Sequence, residues 1–288
     1  MRTTVCCVCD AAMQPLLSSW SFRCPQCGTW GSSLHIDING PEHHRLDEDL
    51  RETGLSRLRK QNNEIILDRL RMLGLADGGS LLDVGAAHGW FVLAAQDRGL
   101  KATGIDPDVH MAERADAKGA NTRRGYFPDA LDADESFDAI CFNDVLEHIV
   151  DVRAAVAACN RHLRPGGLLS INIPNSRGLL YRTAVLAKRM GAAGLYDRLW
   201  QVSFPSPHVW YFDEAGLSTL CATQGLPTVF TGQLPTLTRA GLWQRAHLDR
   251  RPSVSSVAGV AAAWVATPLL NSTWATDIMH VIAQKPHV

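Results

Sequence analysis

Three observations predict an α/β fold with a mostly parallel sheet covered by helices on both faces and a small metal-binding module in front. Short apolar runs alternate with helix-patterned stretches from residue 80 to residue 173, and that alternation demands parallel strands joined by helical crossovers. A turn of small residues, Asp83-Val84-Gly85-Ala86-Ala87-His88-Gly89-Trp90, separates the first such strand from its helix. Two Cys-x-x-Cys pairs, Cys6/Cys9 and Cys24/Cys27, flank a stretch of fourteen residues (10–23) near the start. The 288 residues hold one full α/β domain and an accessory module. With 28 basic against 29 acidic residues, the chain carries no global nucleic-acid footprint. The first residues lack an apolar signal region, and no apolar run reaches the ~18 to 20 residues of a membrane span, so a cytoplasmic location is expected.

Residues 1–35 read as a zinc ribbon. Cys6, Cys9, Cys24 and Cys27 offer four thiolates at a spacing that suits tetrahedral Zn²⁺, and Pro25 and Gly28 favour a tight turn at the second pair. Trp20, Phe22 and Trp30 are available as its core, and Cys7 is left over as a neighbour or an alternative ligand. A disulfide framework is the alternative, and a reducing compartment argues against it. Cys141, Cys159 and Cys221 lie in apolar segments and are expected to be buried. Residues 36–75 read as a linker followed by lid helices. The linker, Asp37 to Asp49, contains Gly40-Pro41 and the adjacent pair His43-His44, whose side chains diverge. Leu55, Leu58, Ile65, Ile66, Leu70 and Leu73 then recur at helical spacing, predicting one or two helices that pack on the sheet and cover part of a ligand site.

Residues 76–288 form the main domain. Strands are expected at 80–84, 101–105, 121–126, 137–142 and 167–173, with helices at 88–98, 109–118 and 144–163. The last helix should stop at Arg164-Pro165-Gly166-Gly167, where proline and glycine forbid continuation. Two insertions interrupt the pattern. The first, near 176–207, carries Arg177, Arg182, Lys188, Arg189 and Arg198 against the single acid Asp197. The second, near 234–274, carries Arg239, Arg245, Arg250 and Arg251 and then the Ala/Val-rich run Val254–Leu270.

A Gly-x-Gly-x-x-Gly dinucleotide turn does not match the spacing Gly85-x-x-x-Gly89. The stretch instead resembles motif I of the class I S-adenosylmethionine-dependent methyltransferases, Asp/Glu-x-Gly-x-Gly-x-Gly, with Ala87 in place of the middle glycine. "FDAICFNDVLEHI" and "LRPGGLLSINIPN" resemble motifs IV to VI of the small-molecule branch, and the resemblance spans roughly residues 60 to 230. It implies a Rossmann-like sheet of seven strands, one antiparallel, closing with Pro227–Thr231 and Ile278–Gln284. It also implies S-adenosylmethionine as cofactor and a small-molecule or glycan acceptor, methylated at oxygen. On that pattern Gly85, Ala86 and Gly89 cradle the methionyl end and Asp83 orients the turn or the methionyl ammonium. Asp106, at the end of the second strand, binds the ribose diol. Phe127 stands at the adenine or in the core, and Asn143 faces the sulfonium.

His208 and His148 are the candidate proton acceptors, each with a structural role as the alternative. His208 lies in Ser206-Pro207-His208-Val209-Trp210-Tyr211-Phe212, which resembles the family's His-x-x-x-Phe element. Asp144-x-x-Glu147-His148 resembles the Glu-x-x-Glu-His motif of metal-assisted O-methyltransferases. On one helix face, with His208, it would take Mg²⁺. The arginines of the first insertion suit a phosphorylated acceptor such as a nucleotide diphosphate sugar. Val254–Leu270 is read either as a buried lid or dimer helix or as a segment resting on a membrane surface. Two rival functions stay open: an RNA base methyltransferase that reads RNA with the ribbon, and a non-catalytic cofactor-binding subunit, which only Ala87 favours. The oligomeric state is not legible.

Overall fold

The computed structural model describes residues 5–38, 48–247, 253–272 and 277–287. His43-His44, Arg250, Arg251 and Trp274, and the Arg245 side chain, lie outside the described residues. The N-terminal module contributes β1 (Gln14–Leu16), β2 (Ser18–Arg23) and β3 (Trp30–Ser32), followed by the long helix α1 (Glu48–Met72). The main domain then runs β4 (Ser80–Val84), α2 (Trp90–Asp97), β5 (Lys101–Asp106), α3 (Val109–Asp116), β6 (Thr122–Arg124), β7 (Phe137–Asn143), α4 (Val152–His162) and β8 (Leu163–Pro174). After β8 come α5 (Leu179–Arg189), α6 (Gly194–Leu199), β9 (Trp210–Tyr211), α7 (Glu214–Thr223) and β10 (Thr228–Leu234). The chain closes with α8 (Leu242–Ala246), α9 (Val254–Leu270) and β11 (Ile278–Gln284).

Seven strands form the main sheet in the order β10-β11-β8-β7-β4-β5-β6. β11 runs antiparallel to both its neighbours and the other pairings are parallel. Alternation of side chains along each strand sorts them between two cores. Leu82, Ile140, Phe142, Leu169 and Ile171 face α4 and α7. Leu81, Ala139, Cys141 and Ile282 face α1 and α2, where Ile66, Leu67 and Leu70 are fully buried. Each such side chain contributes about 1.5–3 kcal/mol of burial, which anchors the C-terminal half of α1 on the sheet.

Two local expectations are corrected. The helix over 144–163 is broken: Asp144 adopts a left-handed φ of 54°, Leu146–His148 form a 3-10 turn, and α4 starts at Val152. Asp151 fixes that start by accepting the Ala154 N–H at 2.9 Å. The aromatics of the ribbon are not a private core. Trp30 packs edge-on to Tyr181, and Trp20 packs on Tyr196 and Trp200 of the first insertion. The ribbon's sheet is completed by β9, in the order β1-β2-β3-β9, with Trp30 opposite Tyr211.

Candidate active site

The strand order reverses at β4, whose neighbours are β5 and β7, and ligand crevices of open α/β sheets lie at the carboxyl ends beside such a switch. A cavity of about 940 Å³ opens there. Gly85 makes the turn possible: it has φ +74°, and a Cβ on it would stand 2.5 Å from Val145 Cγ2. Ala87, where the motif has glycine, also adopts a positive φ, 44°, in a region that disfavours a Cβ. Gly89, expected in the cradle, is not in the cavity wall. Its φ of +70° starts α2, and a Cβ there would lie 2.7 Å from Ala120 Cβ.

Asp83, Gly85, Ala86, Asp106, Phe127 and Asn143 all line the cavity. Asp83 is buried, and burial raises its carboxyl to about 7, opposed by the hydrogen bond from Asn143 and by the Arg59 charge. Asn143 Nδ2 donates to Asp83 Oδ1 at 2.8 Å, and Asn172 Nδ2 donates to Asn143 Oδ1 at 2.8 Å. This relay fixes the Asn143 amide at the end of β7. The Asp106 carboxylate accepts the Ala87 N–H at 2.7 Å and the Asp108 N–H at 2.8 Å. Phe127 packs edge-on to Phe142 with centroids 5.7 Å apart, which makes it both wall and core.

The other half of the cavity holds Glu147, His148 and His208, whose ligand atoms lie within 4.8 Å of one another. His148 Nδ1 donates to the Pro207 carbonyl at 3.0 Å. His208 is buried, and burial followed by the neighbouring His148 holds it well below the usual histidine range. Its Nε2 takes the Gln201 amide at 2.9 Å. Both Glu147 carboxylate oxygens are buried without a hydrogen-bond partner, and burial pushes this carboxyl well above its usual range. Asp144 departs from the expected metal set: its carboxylate pairs with Arg59 Nη2 at 3.0 Å. Arg59, Asn172 and Gln201 were not legible as site residues, since each reaches the cavity from an element whose sequence pattern reports only packing.

The phosphate-clamp expectation is corrected too. Arg182 and Arg189 are exposed and absent from the cavity wall, and Arg177 pairs with Asp213 at 2.7 Å. Only Arg198 of that group reaches the cavity, among Tyr181, Leu195, Leu199, Phe204 and Tyr211.

At the N-terminus the four sulfurs Cys6, Cys9, Cys24 and Cys27 also lie within 4.8 Å of one another. Cys6 and Cys27 are 3.4 Å apart, as are Cys9 and Cys24. A disulfide needs ~2.05 Å, whereas the sulfur–sulfur edge of a tetrahedral Zn²⁺ site is ~3.8 Å. The Val8 and Cys27 N–H groups point at Cys6 and Cys24 Sγ, as thiolate ligands require. Cys7 stands outside the cluster, its carbonyl accepting from Arg153 Nε at 3.0 Å.

A sheet of this order with a small-residue turn after β4 defines the class I S-adenosylmethionine-dependent methyltransferase fold. The model of the methyltransferase-domain family matches residues 57–229, and the chain belongs to that family. It is 32% identical over 132 residues to a ubiquinone biosynthesis O-methyltransferase of Alkalilimnicola ehrlichii, covering 43% of this chain and 53% of that protein. The corresponding Pseudomonas fluorescens protein is 31% identical over 125 residues, covering 40% and 52%. The chain thus spans about half the length of these curated relatives. Among solved structures, a chain from the complex between the Haloferax volcanii Trm112 methyltransferase activator and a methyltransferase superposes with a TM-score of 0.59 at 15% identity, covering 84% of this chain and 96% of that one. A cyclopropane synthase from Mycobacterium tuberculosis superposes at 0.55 and 16%, covering 77% and 83%. Likeness at this identity shows the fold, not the chemistry.

Proposed function

We propose that the protein transfers a methyl group from S-adenosylmethionine to a hydroxyl of a small acceptor with an apolar or aromatic body. The observation that carries the reading is one cavity shared by two sets of residues: the Asp83–Asn143–Asp106 set and a histidine pair walled by aromatic and aliphatic side chains. The cofactor, when bound, supplies an electrophilic methyl on a sulfonium. Asp83 would hold the methionyl ammonium, Asp106 the ribose diol, Gly85 and Ala86 the close backbone approach, and Phe127 the adenine edge. His148 Nε2 would take the acceptor proton, while His208 and Gln201 hold the lid segment in place. Positioning and water exclusion supply the rest of the acceleration. The aromatic wall favours this acceptor over a phosphorylated sugar, although a sugar or secondary metabolite with an apolar face fits the same description. The ubiquinone O-methyltransferase relatives support an oxygen acceptor. A panel of phenols, alcohols, amines, sugars and RNA incubated with S-adenosylmethionine tests the proposal through release of S-adenosylhomocysteine. Turnover with hydroxylated apolar members is expected, and turnover with amines or RNA alone would overturn it.

The two partnerless Glu147 oxygens favour a second reading, in which Glu147, His148 and His208 hold a divalent ion that binds the acceptor oxygen. Turnover unchanged by EDTA and by added Mg²⁺ or Mn²⁺ removes it. The four N-terminal thiolates would hold Zn²⁺ as a closed structural site.

A further inference from the structure

We infer that α5 and α9 form a surface that docks the protein on an anionic lipid bilayer beside the mouth of its acceptor pocket. α9 has seventeen residues and not one charged side chain. A helix that is apolar all round is normally covered all round, yet Val254 is 90% exposed, Val265 71% and Trp264 48%. α5 repeats the pattern. Its outward face carries Leu186 (56% exposed) and, just past its end, Met190 (73%), interleaved with the exposed arginines Arg182 and Arg189. Leu180 of α5 and Val260, Ala263 and Ala266 of α9 pack against one buried cluster, Leu237, Leu242 and Leu270, and Leu180 also lines the cavity. The exposed apolar surface therefore begins at the cavity wall.

Charge selects the occupant. Among the described residues α5, α8 and α9 contain no acid, and Arg239 stacks on Trp264 with its Cζ 4.1 Å from the ring centroid. Large apolar side chains, a tryptophan and arginines on one face suit the boundary between acyl chains and negative headgroups. At ~1.5 Å per residue α9 is about 25 Å long, short of the ~30 Å hydrocarbon core. No helix of the described residues is long and apolar enough to cross a membrane. The helix accordingly lies along the surface. An acceptor with an apolar tail would then enter the cavity past Leu180 without crossing water; this delivery rests on the proposed methyl transfer, whereas the docking does not.

Flotation of the full chain with phosphatidylglycerol-containing vesicles, with pure phosphatidylcholine vesicles as control, tests the surface. Binding to the anionic vesicles, weakening as salt is raised, is expected. The variant Val265→Glu/Leu269→Glu should lose about tenfold or more in vesicle affinity, and Arg182→Gln/Arg189→Gln should lose the preference for anionic lipid. None of these four side chains lines the cavity, so S-adenosylmethionine affinity in calorimetry should stay at the wild-type value and report an intact fold. A wild-type chain that stays in the buffer fraction, or a Val265→Glu/Leu269→Glu chain that floats as well as wild type, overturns the docking surface. So does a soluble dimer that the same variant splits, which would assign the face to a second copy. Intact cofactor binding without flotation removes this inference alone, and flotation without cofactor binding removes the functional proposal alone.

Discussion

Asp83 concentrates the cost of the site in one side chain. Its carboxyl sits at about 7 because burial disfavours its charge. The folded protein therefore holds a proton that the unfolded chain has released, and this group's contribution to stability falls as pH climbs from about 4 to about 7. Asp83→Asn keeps an oxygen for the Asn143 amide and removes the charge. The ligand-free Tm should rise, by up to about 4 kcal/mol of stability at pH above 7, while S-adenosylmethionine affinity falls. In the wild type, cofactor affinity should drop as pH falls through about 7, since a protonated Asp83 no longer attracts an ammonium. Calorimetric titration on both sides of that pH checks it, and a flat affinity would remove Asp83 from the ammonium. His148 carries a separate expectation. His148→Ala should lower kcat by about 10²–10⁴-fold with cofactor affinity unchanged, which single-turnover kinetics and calorimetry together resolve. The motif residues were legible because a glycine-dependent turn leaves its mark in sequence. Glu147 and His208 were legible each within its own motif, but their approach to one another was not, since it spans about sixty residues of chain.

At the scale of elements, the strands could be read because short, near-continuous apolar runs of five to seven residues between turn signals mark strands buried on both faces. The break before α4 could not, since apolar periodicity does not report the left-handed φ at Asp144. The β3–β9 ladder was equally hidden: two paired residues on a short strand carry no pattern of their own. That ladder has a functional consequence. Ser32 N donates to the Val209 carbonyl at 2.8 Å, and Ser32 Oγ donates to the His208 carbonyl at 2.8 Å, so the cysteine module grips the segment that carries His208. If the four thiolates hold zinc as proposed, Cys24→Ser should lower its content, speed proteolysis within residues 196–211 and depress acceptor turnover, while cofactor affinity changes little. Metal analysis, limited proteolysis and calorimetry on one preparation check the three parts. Wild-type proteolysis after metal loss would show that the module is not coupled to the site.

Across the whole molecule, the sheet order fixes where ligands go and the insertions decide which ligands. β4, β5 and β7 deliver the residues of one half of the cavity from their carboxyl ends. The segment from α5 to β9 walls the other half with aromatic side chains and His208, beside His148 from the turn after β7. Near-neutral charge and the aromatic wall of the cavity favour the proposed small apolar acceptor over RNA. The fold was legible almost entirely, whereas the acceptor is written in long-range packing that no local motif records. The central claim is methyl transfer to a small hydroxylated molecule. Its most direct test is transfer of a tritiated methyl group from S-adenosylmethionine into a host-cell extract separated into small-molecule, lipid, polysaccharide, RNA and protein pools. Label in the small-molecule or lipid pool, held by a bond that resists the hydrolysis that opens esters, is the predicted result. Label confined to RNA or protein would contradict the account and make the cysteine module a macromolecule reader.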